Sequence, residues 1–159
     1  MPEAFQACLR TPFATLGITT TDKHVTGIRF LTPSTPALVP KRNSIAYLAC
    51  VQLQAYLDNP QFEFDLPLKF SGTRHRVAVW EAMQKIPAGK TRTYGDIAHD
   101  LHSSARAVGG ACGANPIPLV VPCHRIVAAG GSLGGFMGEL GAGFETAIKR
   151  WLLEHEGAL

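Results

Sequence analysis

Cysteine is scarce: Cys8, Cys50, Cys112 and Cys123 are the only four in 159 residues, and no two form a Cys-x-x-Cys pair. That is too few and too scattered for a disulfide scaffold, so all four are expected to be thiols. Long apolar runs are also missing. No stretch approaches the ~18 consecutive apolar residues of a membrane span, and Met1 to Arg10 lacks the basic-then-apolar layout of a secretory leader. These absences lead to the expectation of a cytoplasmic protein without membrane association. What is present is an apolar content of 46% over a length sufficient for one substantial core or two small ones sharing an interface, so a folded protein is expected.

The net charge is only +3, but it is unevenly distributed. Residues 1–68 hold five basic and five acidic side chains, whereas residues 69–125 hold Lys69, Arg74, Arg76, Lys85, Lys90, Arg92, Arg106 and Arg125 against Glu81, Asp96 and Asp100. The tail, 126–159, is net negative. A positive middle segment suits a polyanion such as nucleic acid, although a solvated face has the same composition.

Two patterns meet near Phe64–Lys69, where Asp65-Leu66-Pro67-Leu68 reads as a linker. Before it, Phe5–Leu9, Ala14–Thr20 and Val25–Leu31 are short runs rich in β-branched and aromatic residues, with a turn at Thr21-Asp22-Lys23. They predict a small antiparallel sheet. Asn43 is the expected cap of a helix carrying Ile45, Leu48, Ala49, Val51, Leu53 and Tyr56, and Asn59-Pro60 stops it. After the linker, Val77, Trp80 and Met83 recur at helical spacing up to Pro87-Ala88-Gly89. Thr93-Tyr94-Gly95-Asp96 has the form of a capping box, with Ile97 and Leu101 facing inward from the helix it opens. His102-Ser103-Ser104 then turns into a further helix at about Ala105–Cys112. Two short helices around a tight turn, flanked by basic residues, outline a helix-turn-helix, an outline that many helical domains share.

The chemistry concentrates where the apolar run Asn115-Pro116-Ile117-Pro118-Leu119-Val120-Val121-Pro122 ends in Cys123-His124-Arg125. A lone cysteine is commonly an inert small hydrophobe. A reactive one needs positive charge, donors or a base nearby, and His124 and Arg125 are candidates to supply them. His124 could equally be a core histidine. Zinc on Cys112, Cys123 and His124 is disfavoured, because their spacing matches no usual structural site.

The Asn-Pro-Ile-Pro-x-x-x-Pro-Cys-His-Arg-Ile-Val frame resembles that of the O6-alkylguanine-DNA alkyltransferases. The likeness runs from Gly72-Thr73 and Val79-Trp80 through Thr93-Tyr94-Gly95 and Ala105-Arg106-Ala107-Val108-Gly109 to Lys149-Arg150-Trp151-Leu152-Leu153-Glu154-His155-Glu156-Gly157, most of residues 69–157. It implies an α+β protein. A ribonuclease H-like supporting domain, 1–67, would precede a mainly helical, winged helix-turn-helix-like domain, 68–159.

The resemblance further implies irreversible, single-turnover transfer of an alkyl group from guanine O6, or from thymine O4, to Cys123. Its partner would be double-stranded DNA containing the damaged base, with the protein acting as a monomer without cofactor or metal. His124 would take the thiol proton through a water, and Glu156 would orient that imidazole. Asn115 would fix the active-site turn, Tyr94 would donate to the guanine, and Lys149 would support Tyr94. Arg106 would fill the space left by the extruded nucleotide, while Ser104, Ala105, Ala107 and Gly109 would let the helix approach the minor groove, with Arg125 also among the DNA-binding residues. Cys112, Ile126, Leu133, Gly134, Phe136 and Met137 would line the alkyl pocket.

Three places depart from the family pattern. The Tyr94-to-Arg106 interval is shorter, His75-Arg76 replaces the common Phe-Gln, and Met137–Gly143 is longer. Glycine fills half of 130–143, which predicts a mobile loop able to admit alkyl groups bulkier than methyl around Phe136 and Met137. Two other functions fit parts of this pattern. One is a non-catalytic alkyltransferase-like protein that only binds the damage, against which the presence of Cys123 counts; the other is a thiol hydrolase using Cys123 and His124.

Overall fold

The computed structural model describes residues 4–134 and 143–159, which form an α+β protein of two compact units, Met1–Phe70 and Ser71–Leu159. In the first, β1 (Ala7–Arg10), β2 (Thr15–Thr20) and β3 (Val25–Leu31) make an antiparallel sheet in the order β1-β2-β3. Leu16 pairs with Phe30 and Ile18 with Ile28, and the register shifts at Thr19/Thr20. The helix α1 (Ile45–Asp58) belongs to the same unit and contributes Ala46, Ala49, Leu53 and Tyr56 to the core.

Three details of this unit differ from the sequence pattern. Ser44, not Asn43, caps α1, its hydroxyl accepting from the Tyr47 N–H at 3.1 Å. Asn43 itself sits in the left-handed region at φ 63°. Leu48 and Val51 face solvent, because the buried stripe runs through 46, 49, 53 and 56. The stretch read as a linker is fastened to the first unit. Gln52 exchanges two hydrogen bonds with the Asp65 backbone, and Val25 bonds to Pro67 and Lys69 on either side of Leu68.

In the second unit, α2 (Arg74–Gln84) buries Val79, Trp80 and Met83, with Val77 only half-covered. The two-residue strand β4 (Arg92–Thr93) leads directly into α3 (Tyr94–Asp100). The capping box at its start is complete: the Thr93 hydroxyl accepts from the Asp96 N–H and the Asp96 carboxylate accepts from the Thr93 N–H, both at 3.0 Å. Residues 101–104 connect α3 to α4 (Ala105–Gly113), completing the helix-turn-helix. Ile97 is fully buried, Leu101 half-buried. β5 (Ile126–Val127) pairs in parallel with β4, Arg92 opposite Ile126 and Thr93 opposite Val127. The last helix is α5 (Phe144–His155). Among the described residues no helix is long and apolar enough to cross a membrane.

Candidate active site

The site is built where a strained loop, a short parallel ladder and the end of a helix converge. The loop is 115–123. Asn115 clamps it from inside: its amide donates to the Val121 carbonyl at 2.9 Å, and its side-chain oxygen accepts from the Ile117 N–H at 3.0 Å. Leu119 stands at φ 77° and is buried, a conformation that costs an L residue ~1–2 kcal/mol and is retained only because its surroundings fix it. The Cys123 N–H donates to Val121 at 2.8 Å, and the chain then enters a single 3-10 turn, Cys123–Arg125. The parallel pairing of β4 with β5 sets the residue after β4, Tyr94, beside the segment that follows this turn.

α5 supplies the other wall. Lys149 and Glu156 lie seven residues apart, two helical turns, so both fall on the face that buries Ile148, Leu152 and Leu153. The helix ends at Glu156 because Gly157, at φ 76°, closes it with the Gly157 N–H on Glu154 and the Ala158 N–H on Leu153.

Glu156 is enclosed and doubly engaged. Its Oε2 lies 2.8 Å from His124 Nε2, and Arg125 holds the same carboxylate with Nε and Nη2, each at 2.9 Å. The third guanidinium arm donates to the Ile86 carbonyl at 2.6 Å. Burial alone would raise the Glu156 pKa, but the hydrogen bond to His124 and the Arg125 charge outweigh it, so the carboxyl stands well below the usual range and is ionised. An ionised carboxylate only accepts, so His124 Nε2 carries the proton that faces it. Burial, opposed by Glu156, lowers the His124 pKa and keeps the ring neutral. Its Nδ1 therefore bears a free lone pair, buried and without a partner among the described residues.

Cys123 is 3% exposed. Burial pushes its thiol up to about 11 against the pull of a side-chain hydrogen bond from Asn115 and the charge of Lys149. At neutral pH it rests protonated, so nucleophilic use of this sulfur requires a base. Lys149 is buried, donates to the Ile126 carbonyl at 2.6 Å, and lies 5.9 Å from the centre of the Tyr94 ring. Burial lowers its pKa to about 8. The Tyr94 hydroxyl is raised to about 12, by burial first and then by Cys112 and Cys123, and keeps its proton as a donor.

Of the residues expected around an alkyl pocket, Cys112 and Ile126 are buried and Leu133 and Gly134 half-buried. A Cβ at Gly134, φ 71°, would stand 3.1 Å from the Tyr94 ring, so both the backbone conformation and the tight approach favour glycine there. Phe136 and Met137, and with them the expectation about bulky alkyl groups, lie outside the described residues.

Arg106, Ala105 and Ala107 are exposed on the first turn of α4, Gly109 is half-buried a turn later, and Ser104 caps the helix through the Ala107 N–H. Asp100, at the end of the preceding helix, binds Arg92 at 2.7 Å. Arg125 departs from expectation: it is committed to Glu156 and Ile86 rather than presented to solvent. Its proximity to a carboxylate 31 residues on has no local sequence signal.

Comparison with known proteins gives a consistent picture. The model of the 6-O-methylguanine DNA methyltransferase DNA-binding domain matches residues 74–158. The inducible methylated-DNA–protein-cysteine methyltransferase of Bacillus subtilis is 44% identical over 108 residues, 67% of this chain and 57% of that protein. The DNA base-flipping protein of Thermus thermophilus is 39% identical over 130 residues, 78% of this chain and 84% of that one. The structure of Mycobacterium tuberculosis OGT in complex with DNA superposes with a TM-score of 0.78 at 35% identity, covering 95% of this chain and 91% of the other. The matched part of this chain spans 57% of the length of the Bacillus protein and the same share of a Mycolicibacterium paratuberculosis relative.

Proposed function

Because this chain belongs to the 6-O-methylguanine DNA methyltransferase family, we propose that it repairs DNA by direct reversal, taking the alkyl group of O6-alkylguanine irreversibly onto Cys123. The observation that carries this reading is the buried Cys123 thiol adjoining a neutral His124 whose Nε2 is held by Glu156 and whose Nδ1 is bare.

A thiol held near pKa 11 is a poor nucleophile until its proton leaves. His124 Nδ1 takes that proton through a water, and the ionised Glu156, held by Arg125, keeps the ring in the accepting tautomer and stabilises the imidazolium. The sulfur then attacks the alkyl carbon in line. The S–C bond forms, the C–O6 bond breaks, and its electron pair goes to guanine, where the Tyr94 hydroxyl donates to the base as charge develops. Lys149, beside the Tyr94 ring and within electrostatic reach of Cys123, favours the thiolate. The product thioether has no leaving path, so each molecule turns over once.

Reaching guanine O6 inside a duplex requires base extrusion. Exposed Arg106 on α4, among the small residues Ala105, Ala107 and Gly109, is suited to fill the vacated stack from the minor groove. Arg125 serves the reaction by fixing Glu156.

The test is peptide mass spectrometry after incubation with duplex DNA containing O6-methylguanine. One methyl on the Cys123 peptide, transfer stopping at one per protein, and no transfer by Cys123→Ser are expected. Transfer retained by Cys123→Ser, or steady multiple turnover, overturns the proposal in favour of other chemistry. Tight binding to the damaged duplex without methyl on Cys123 replaces it with a base-flipping binder.

A further inference from the structure

The turn between α3 and α4 is closed by its own backbone, with one exception. The His102 N–H reaches the His99 carbonyl and the Ser103 N–H reaches that of Ala98, the paired bonds of a helix stop in which the residue after the cap is left-handed; that residue is His102, at φ 52°. Ser104 is used as the cap of α4. This leaves the Ser103 side chain, and its hydroxyl lies 2.8 Å from Nε2 of His75, 28 residues away in the first turn of α2.

α2 therefore holds the second helix of the pair at both ends. Near the C-terminal end of α4, Trp80 Nε1 donates to the Ala111 carbonyl at 2.8 Å, with both residues buried. Just ahead of its N-terminus, His75 takes Ser103. Two ties on a nine-residue helix that also buries Val108, Ala111 and Cys112 reinforce its packing in fixing the direction of its axis; with one tie gone, the N-terminal end is held by packing alone and the remaining tie becomes the pivot for any tilt. Arg106 lies five residues from Ala111, roughly 7.5 Å along the axis at 1.5 Å per residue, so a tilt of about 10° about that pivot carries its Cα about 1.3 Å sideways. A displacement of that size matters to a side chain that must enter a base stack.

We propose that His75 is a positioning residue for α4: through Ser103 it sets the angle at which Arg106 is presented to the duplex. Its consequence for repair rests on the alkyl-transfer function proposed above; the tie itself does not. Among the described residues the hydrogen bond of His75 goes to Ser103 and none joins it to Cys123 or His124, so its removal slows repair only where a duplex must be opened.

A two-substrate comparison combined with a double-mutant cycle tests this. His75→Ala and Ser103→Ala each slow transfer from duplex O6-methylguanine about fivefold, the effect of one net hydrogen bond, and the double variant is no slower than either. Transfer from free O6-benzylguanine stays within about twofold of wild type for the same hydrogen-bond change. His75→Gln, whose amide reaches the place of Nε2, restores duplex repair. Equal losses on both substrates, additive losses, or no loss on duplex overturn the proposal. Hydrogen exchange in the DNA-free protein separates this from failure of the function. The Ala107 and Val108 amides, both bonded to Ser104, exchange faster in His75→Ala even if wild type proves to transfer nothing; unchanged exchange refutes the tie.

Discussion

Lys149→Met isolates the cost of holding a cation inside this protein. The ammonium is buried, with the Ile126 carbonyl and the Tyr94 ring as its neighbours, and burial moves its pKa from 10.5 to about 8. That fall corresponds to about 3 kcal/mol of destabilisation at neutral pH. The unfolded chain binds the proton more tightly, so the penalty is fully present below about pH 8 and is relieved as pH rises towards 10.5. Methionine keeps the apolar stem and carries no charge. It also strands the Ile126 carbonyl, at a cost of ~1–3 kcal/mol that does not vary with pH. Near pH 7 the two effects offset, leaving the variant between equal to wild type and modestly more stable.

The difference across pH is cleaner. Between pH 7 and 9 wild type gains about 1 kcal/mol relative to the variant, because only wild type sheds the penalty. Urea unfolding of both proteins at pH 7, 8 and 9 measures it, and the unfolded-state thiols cancel in the comparison. Parallel stability curves would refute the buried-cation account. The same variant transfers alkyl groups more slowly, since it loses the charge that favours the Cys123 thiolate.

Two further substitutions probe other parts of the structure. Arg125→Gln removes a positive charge from Glu156, so the carboxylate draws a proton onto His124 more strongly; the acid limb of the pH–rate profile moves to higher pH, and an unmoved limb argues against His124 as the base. His102→Gly relieves a left-handed residue at the end of α3 and raises stability by about 0.5–1 kcal/mol, the strain removed less the entropy glycine adds to the unfolded chain, read as a higher Tm.

Part of the site was legible locally. The Thr93–Asp96 capping box depends on residues within one turn of each other, where spacing along the chain nearly determines geometry, whereas the roles of Asn115 and of the Pro-Cys-His-Arg frame were legible only through the family resemblance. Strand and helix existence followed from periodicity, and the errors fell where periodicity is degenerate. Asn43 and Ser44 are both good caps, and only the left-handed backbone at 43 decides between them. Leu48 and Val51 fit a helical stripe as well as Ala46 and Leu53, and only the packing of α1 selects the face.

What the sequence by itself determined is the chemistry available: a thiol, an imidazole, a carboxylate and a phenol in recognisable frames. The tertiary structure alone decided their states. The distance from His124 to Glu156 spans 32 residues of chain, and Arg125 reaches both that carboxylate and the Ile86 carbonyl. Burial then keeps Lys149 costly, His124 neutral and Cys123 protonated at rest. Protonation follows from the desolvation and charges that surround a group in space, and those neighbours are set by long-range packing that no local spacing encodes.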